Sequence, residues 1–550
     1  MARVLNLIIV ILEILGFSIS IKRRGIKGNL IFYTQISNFI TLIASLLLVI
    51  FGQKSAIEVL RYVSVSMLIM TFFVTACILV PMSGKLKELL FSGSGLFHHL
   101  LVPIVSTLSY VLVEKRADFF WVWLPGVITL IYGIIMLYSN YTDRVKGPYP
   151  FFLIKQNGVK ATVIWMFALM IVVTGFSALV GYHRPLKTDI KYVYVHGLSG
   201  WGSYDFKNEF VPYWGLFGRD LIRYMNENGY ESYAASVDPK TSAWDRSCEL
   251  YAQLTGTRVD YGKAHSEKAG HERFGEDFSG RPLYKDFAGS QFVLIGHSFG
   301  GATIRQFSET LKNGCDEEIK CTDPSELSPF FKGGGGDNLL ALVTLAAPTN
   351  GTTAYDLYED DSFDRSLIEI PAEYKEESRN ISADKKPELD NREPWDYASF
   401  DMHIDNAMEL NGRITTFDDI YYFSYPCEST TTDDQGEVAP NPEITEKRFM
   451  KGSIYMSKYT GFTKGGFYID ESWQPNDGLV NTVSARAPIG APSVDYVEGK
   501  EINPGIWYVM PTISGDHISV EGGLYKRVNV KPFYLKLADM LAQLGEDSAN

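Results

Sequence analysis

Over its first 182 residues the chain sets long apolar runs between short polar connections. Runs at 4–21, 30–51, 62–81, 96–114, 119–138 and 161–182 are each close to the ~20 residues that cross a hydrocarbon core. They predict six membrane-spanning helices. The first run lacks a small-residue cleavage site and five more follow it, so it reads as an anchor rather than a cleaved leader. From residue 190 the pattern changes. Short β-rich runs at 190–195, 291–296, 339–345, 421–425 and 507–510 are separated by helical periodicity, as at 216–228 and 302–312. Strands alternating with helices predict a mostly parallel, doubly wound sheet. Residues 357–400 are acidic and Pro-interrupted, the pattern of an insertion or flexible cap rather than core. The expected organisation is an α-helical six-span domain (1–182), a short linker (183–189) and an α/β domain (190–545).

Charge separates the same two parts. The first 187 residues hold 17 Lys and Arg against 6 Asp and Glu, leaving 34 against 58 for the remainder. An acidic second part without a basic stripe argues against nucleic-acid binding. Loops after spans one, three and five carry Lys22, Arg23, Arg24, Lys27, Lys85, Lys87, Arg144, Lys146, Lys155 and Lys160. The opposite side carries Arg3, Lys54, Arg61, Lys115 and Arg116, with Arg184 and Lys187 after the last span. The positive-inside rule puts the richer set in the cytoplasm, and hence the acidic domain on the extracytoplasmic face of a multi-pass cell-membrane protein.

Gly296-His297-Ser298-Phe299-Gly300 follows an expected strand and opens an expected helix, the context of a nucleophile elbow. The sharp turn presents the Ser298 hydroxyl at a helix N-terminus, where amides and the helix dipole favour a developing anion. Serine needs a base, and in this fold the chain order is serine, acid, histidine. Only His403 and His517 follow Ser298, and His403 leaves too few strands before it, so His517 is the expected base. Asp477, in Pro475-Asn476-Asp477-Gly478, fits an acid at a strand tip; Asp470 is its rival, and Asp516 lies too close in sequence to His517. The expected oxyanion donors are the amides of Phe299 and of Leu198, in the loop His196-Gly197-Leu198-Ser199-Gly200. His196 reads as a loop-positioning residue.

Two imidazoles and a carboxylate, His265, His271 and Asp245, are a donor set that suits Zn²⁺ and leaves room for a fourth ligand. Of the five cysteines, Cys315 and Cys321 share a polar loop, as a disulfide or as two free thiols. Cys77 lies in a span, and Cys248 and Cys427 read as core.

The loop 196–202, Trp244-Asp245-Arg246-Ser247-Cys248-Glu249, the segment 259–271, Gly351-Thr352-Thr353 and the segment 476–483 together resemble the large lipases of staphylococci and thermophilic bacilli, over roughly 190–540. That resemblance implies an α/β-hydrolase fold, a triad of Ser298, Asp477 and His517, and a small insertion holding a structural zinc. Its ligands would be Asp245, His265, His271 and Asp401. Two features depart from the family. His517-Ile518-Ser519-Val520 lacks the acid that follows the family's histidine, which puts Ca²⁺ in doubt. The segment 354–400 is shorter and more acidic than the family's apolar lid. The first third is similar to six-span proteins of the androgen-induced, fatty-acid-ester-hydrolase type, through Tyr33-Thr34-Gln35-Ile36-Ser37-Asn38, His98-His99 with Pro103, and Pro148-Tyr149-Pro150. This similarity implies a second, intramembrane site at Thr34 with His98 or His99.

The expected function is a membrane-anchored serine carboxylester hydrolase, a lipase or esterase cleaving acylglycerols or other fatty-acid esters. One alternative is a non-catalytic membrane sensor that keeps the hydrolase fold as a binding module. Another is a transporter, which the scarcity of charge inside the spans (Glu13 is the main case) argues against.

Overall fold

The computed structural model describes residues 2–29, 31–114, 116–145, 147–182, 185–216, 220–374 and 392–549. Lys115, Lys146, His183, Arg184, part of the helix expected over 216–228 and residues 375–391 of the acidic segment lie outside the described residues. The chain divides into two compact units, Met1–His183 and Arg184–Asn550.

The first unit contains six long apolar helices, Ala2–Asn29, Tyr33–Phe51, Ser55–Ser83, Gly93–Val113, Phe119–Tyr141 and Val159–Gly181. Polarity runs inside out. Ile11, Ile131, Ile171 and Leu179 face outward, while Asn6, Ser37, Asn38, Ser64 and Ser106 are buried. Arg61, expected as a loop cation, is instead buried two turns into the third helix, because that helix already begins at Ser55. Its Nε and Nη2 each lie 2.9 Å from the carboxylate of Glu114, which also accepts from Asn6 and Ser109. A buried charge persists only when paired and fully hydrogen-bonded in this way.

The second unit is organised by a seven-stranded sheet: β1 (Lys191–Val195), β2 (Ser232–Ala235), β3 (Phe292–His297), β4 (Leu339–Leu345), β5 (Tyr421–Tyr425), β6 (Ser493–Asp495) and β7 (Trp507–Val509). The spatial order is β6-β7-β5-β4-β3-β1-β2, and every pair is parallel. β3 and β4 are buried throughout and almost wholly apolar because both faces are covered. One layer includes Tyr194, Trp214, Val343 and Tyr534; the other includes Val193, Leu294, Phe307 and Phe330. β2 and β6 escaped the sequence reading. Each is three or four residues long and sits at a sheet edge, where alternation is too brief to register.

The acidic segment was expected to be an insertion or flexible cap rather than core, and most of its described part is exposed or half-buried. Leu357 and Ile370 are buried with Ile404, Tyr455, Met456 and Trp473 in a separate apolar cluster. Their partners lie up to about a hundred residues downstream, so local composition could not reveal the burial. All five cysteines are free, and Cys315 and Cys321 flank a short helix without pairing.

Candidate active site

Ser298 occupies the turn between β3 and the helix Gly300–Asn313, at φ +55°. That left-handed conformation costs a non-glycine residue energy, and the fold must hold it in place. The Ser298 amide donates to the Leu345 carbonyl at 2.9 Å, and the Gly301 amide donates to the Ser298 carbonyl at 2.9 Å. Gly296 lets the helix fold back over β3, since a Cβ there would meet the Gly300 carbonyl oxygen at 2.5 Å.

Three expected residues converge on this turn. His517 Nε2 lies 2.8 Å from Ser298 Oγ, and His517 Nδ1 lies 2.8 Å from Asp477 Oδ2. The other Asp477 oxygen accepts from the Leu479 and Val480 amides at 3.0 and 2.8 Å, which pins the carboxylate's orientation. Asp477 is wholly buried, and the His517 amide donates to its carbonyl at 2.9 Å. Burial disfavours the charged imidazole, but the Asp477 carboxylate, with Glu521 and Asp516, outweighs it and raises the His517 pKa above its ordinary value. The rival residues are engaged elsewhere. Asp470 caps the turn Glu471–Trp473, and His403 Nδ1 faces Asp356 at 3.3 Å. Asp516 accepts from the Glu446 amide and the Ser519 hydroxyl.

The loop after β1 closes the site from the other side. A Cβ on Gly197 would meet Ser298 Cβ at 2.6 Å, so only glycine lets this backbone approach Ser298 so closely. Leu198 and Phe299 share an apolar cluster with Met402 and Leu410. Among the described residues, neither the Leu198 nor the Phe299 amide donates to a protein acceptor. His196 acts from below: its Nδ1 donates to the Gly197 carbonyl at 2.9 Å, and its Nε2 accepts from the Val237 amide at 3.3 Å. Burial and the nearby Arg246 push its pKa down to about 3, so it is a neutral spacer. Arg246 in turn donates to the His196 carbonyl, and at 3.0 Å to that of Asp238.

A buried network that the sequence reading missed joins the two sides. His297 Nε2 donates to the His517 carbonyl at 2.8 Å, and His297 Nδ1 lies 2.6 Å from both the Tyr213 hydroxyl and Glu521. That hydroxyl accepts from the Gly197 amide at 3.0 Å. His297, Tyr213 and Glu521 thus tie the His517 loop to the Gly197 loop after β1. The variable positions of a Gly-x-Ser-x-Gly element carry no sequence signal for such a role.

Asp245, His265, His271 and Asp396 form a second cluster, with ligand atoms all within 4.8 Å of one another. Asp245 Oδ1 and His271 Nε2 are buried without hydrogen-bond partners among the described residues. Orphaned donor atoms of this kind fit a metal ion at their centre. The fourth residue is Asp396 and not the expected Asp401. Ser242 donates to Asp396 through both its amide and its hydroxyl, at 3.2 and 2.6 Å, which holds Asp396 beside the helix carrying Asp245. Asp401 lies a helical turn further on and accepts from the Ala243 amide at 2.8 Å. Arg392 reaches both Asp245 and Asp396 from the rim. Near the His517 loop, Glu446 Oε1 accepts from the Leu524 and Tyr525 amides at 2.7 Å each, and Glu521 turns inward to His297.

Residues 188–382 match the family described as "Lipase-like, C-terminal domain". EstA from Clostridium botulinum is 30% identical with a TM-score of 0.54, covering 65% of this chain and 89% of that one. The chain belongs to this lipase family. Staphylococcus hyicus lipase is 28% identical with a TM-score of 0.55, over 67% of this chain and the whole of that one. A lipase of Staphylococcus epidermidis is 32% identical over 394 residues, 66% of this chain. The chain spans about half (54%) of that lipase's length.

In the first unit, the Thr34 hydroxyl and the His98 and His99 rings do not hydrogen-bond one another among the described residues, although the Asn38 side-chain amide donates to the carbonyls of both Thr34 and His98, at 2.7 and 3.3 Å. The Thr34 hydroxyl lies 3.3 Å from the Tyr149 hydroxyl. His98 Nδ1 faces Gln35 at 3.0 Å and its Nε2 faces Glu13 at 3.5 Å, while His99 Nδ1 faces Thr75 at 2.9 Å.

Proposed function

We propose that the chain is a membrane-anchored serine carboxylester hydrolase cleaving acylglycerols or other fatty-acid esters. The supporting observation is the unbroken relay from Asp477 through His517 to Ser298, 2.8 Å at each step. His517 Nε2 takes the Ser298 proton as Oγ attacks the ester carbonyl carbon, and Asp477 stabilises the resulting imidazolium. The Leu198 and Phe299 amides receive the oxyanion. His517 returns the proton to the departing alcohol, then activates a water that frees Ser298 from the acyl-enzyme. Asp245, His265, His271 and Asp396 would hold a structural Zn²⁺, whose contribution is to cross-link the 243–271 segment to the 394–396 turn. The inside-out helices favour membrane embedding, because lipid rewards an apolar exterior and punishes exposed polar groups. With Arg61 buried, the cationic loops outweigh the opposite side further, which supports an extracytoplasmic hydrolase.

The test is fluorophosphonate labelling and turnover of p-nitrophenyl esters of graded chain length by the full chain and its Ser298→Ala variant. Both activities should vanish in the variant. Turnover that survives would move the chemistry to Thr34 with His98 or His99. No labelling of the unmodified chain would leave a binding module.

A further inference from the structure

The fourth and sixth long helices each pack against the third, and a groove of about 540 Å³ runs between them. Ile69 and Phe72 of the third helix line its floor, Ile104 and Leu108 one wall, Phe176 and Leu179 the other. The third and sixth helices close tightly beyond it, where Tyr62 donates to the Ser177 carbonyl at 2.7 Å. Along the fourth helix the groove extends from Pro103 to Val111, about 12 Å at 1.5 Å per residue. The one hydroxyl among its described lining residues, on Thr107, is spent on the Pro103 carbonyl at 2.7 Å. At one end stands Arg116, the one cation among the described lining residues. Arg116 Nη1 donates to the Tyr182 carbonyl at 3.0 Å, so it marks the end of the bundle where the sixth helix finishes. Its Nε is buried and has no hydrogen-bond partner among the described residues.

We infer that this groove binds one free long-chain fatty acid, its carboxylate held by the Arg116 guanidinium. The volume is in the range that takes a single ligand, and the wall offers nothing polar to a headgroup along its length. A guanidinium at one end matches a planar carboxylate, which it can hold through two parallel hydrogen bonds. A phospholipid would bring a second chain and a bulkier head. A fatty acid is also what the proposed reaction releases. The inference rests on the membrane reading of the six helices and not on the esterase reading, so a catalytically silent chain is the right material for its test.

The full Ser298→Ala chain in phosphatidylcholine nanodiscs would be irradiated with a diazirine-bearing palmitate and the cross-linked peptides mapped. Labels should concentrate in 103–116 and 176–180 and be competed by oleate but not by phosphatidylglycerol. Adding Arg116→Gln should weaken capture about tenfold, the worth of one charge-assisted contact. Arg116→Lys should restore part of it, and Leu108→Trp, which fills the groove at a lipid-facing position, should abolish it. Labels spread evenly over all six helices and indifferent to Arg116 would overturn the inference as ordinary lipid solvation. Competition by phosphatidylglycerol in place of oleate would overturn it in favour of a phospholipid headgroup site.

Discussion

The orientation of the Asp477 carboxylate makes Asp477→Asn a sharp perturbation. One oxygen of Asp477 accepts two backbone amides while the other faces His517 Nδ1 at 2.8 Å. Asparagine keeps the shape but has only one acceptor oxygen. The Leu479 and Val480 amides claim that oxygen, because leaving two buried donors unpaired costs about 1–3 kcal/mol each. The NH₂ group must then face His517 Nδ1, which has to accept. The ring proton is forced onto Nε2, facing Ser298 Oγ, and an imidazole protonated there cannot take the serine's proton. By analogy with the same change in a serine protease, the expected loss in kcat is about 10⁴-fold, or about 5.5 kcal/mol of transition-state stabilisation. KM should move little, since no substrate contact changes. Steady-state turnover of p-nitrophenyl butyrate, with circular dichroism to verify folding, measures this. A loss below about tenfold in a folded variant would refute the tautomer argument and return Asp470 or Asp516 to consideration.

The pH profile follows from the same pair. Only neutral His517 can act as base, and Asp477 raises its pKa above the ordinary value, so kcat/KM should climb with pH and reach half its plateau above about 6.5; a midpoint below that contradicts the assignment. Tyr213→Phe removes the hydroxyl bridging Gly197 and His297 and should lower kcat by about tenfold, an unpaired buried donor costing about 1–3 kcal/mol, with KM unchanged; equal kcat in the variant would deny the network a positioning role. Gly197→Ala puts a methyl 2.6 Å from Ser298 Cβ and should abolish fluorophosphonate labelling. Chelation should lower the melting temperature of the second unit by several degrees, since an ion at 100 times its Kd stabilises by about 2.7 kcal/mol. Asp245→Asn should remove that sensitivity; a chelator-insensitive melt, with no zinc by elemental analysis, would dismiss the metal.

Features carried by local periodicity or by a tight turn were legible in the sequence. The six apolar runs became six long helices, and the runs at 190–195, 291–296, 339–345 and 421–425 became adjacent central strands. A parallel strand buried on both faces announces itself as a continuous apolar run, and an apolar helix announces itself by length. The turn at Ser298 was readable because a strand–turn–helix elbow needs flanking glycines, and its neighbour His517 because so few histidines follow it.

What the sequence left open depended on long-range closure. Asp477 outranks Asp470 only because the chain returns it to His517 across forty residues, and no local pattern encodes that return. Asp396 replaces Asp401 in the candidate metal-binding cluster because Ser242, more than 150 residues upstream, fixes which carboxylate turns inward. Arg61 changed from a loop cation to a buried one once Glu114 lay against it. The sequence by itself determined the long apolar helices, the central strands and the serine that sits in a strand–turn–helix elbow. Only the tertiary structure decided which polar groups meet, because a hydrogen bond depends on ångström distances between residues that packing, and not sequence proximity, brings together.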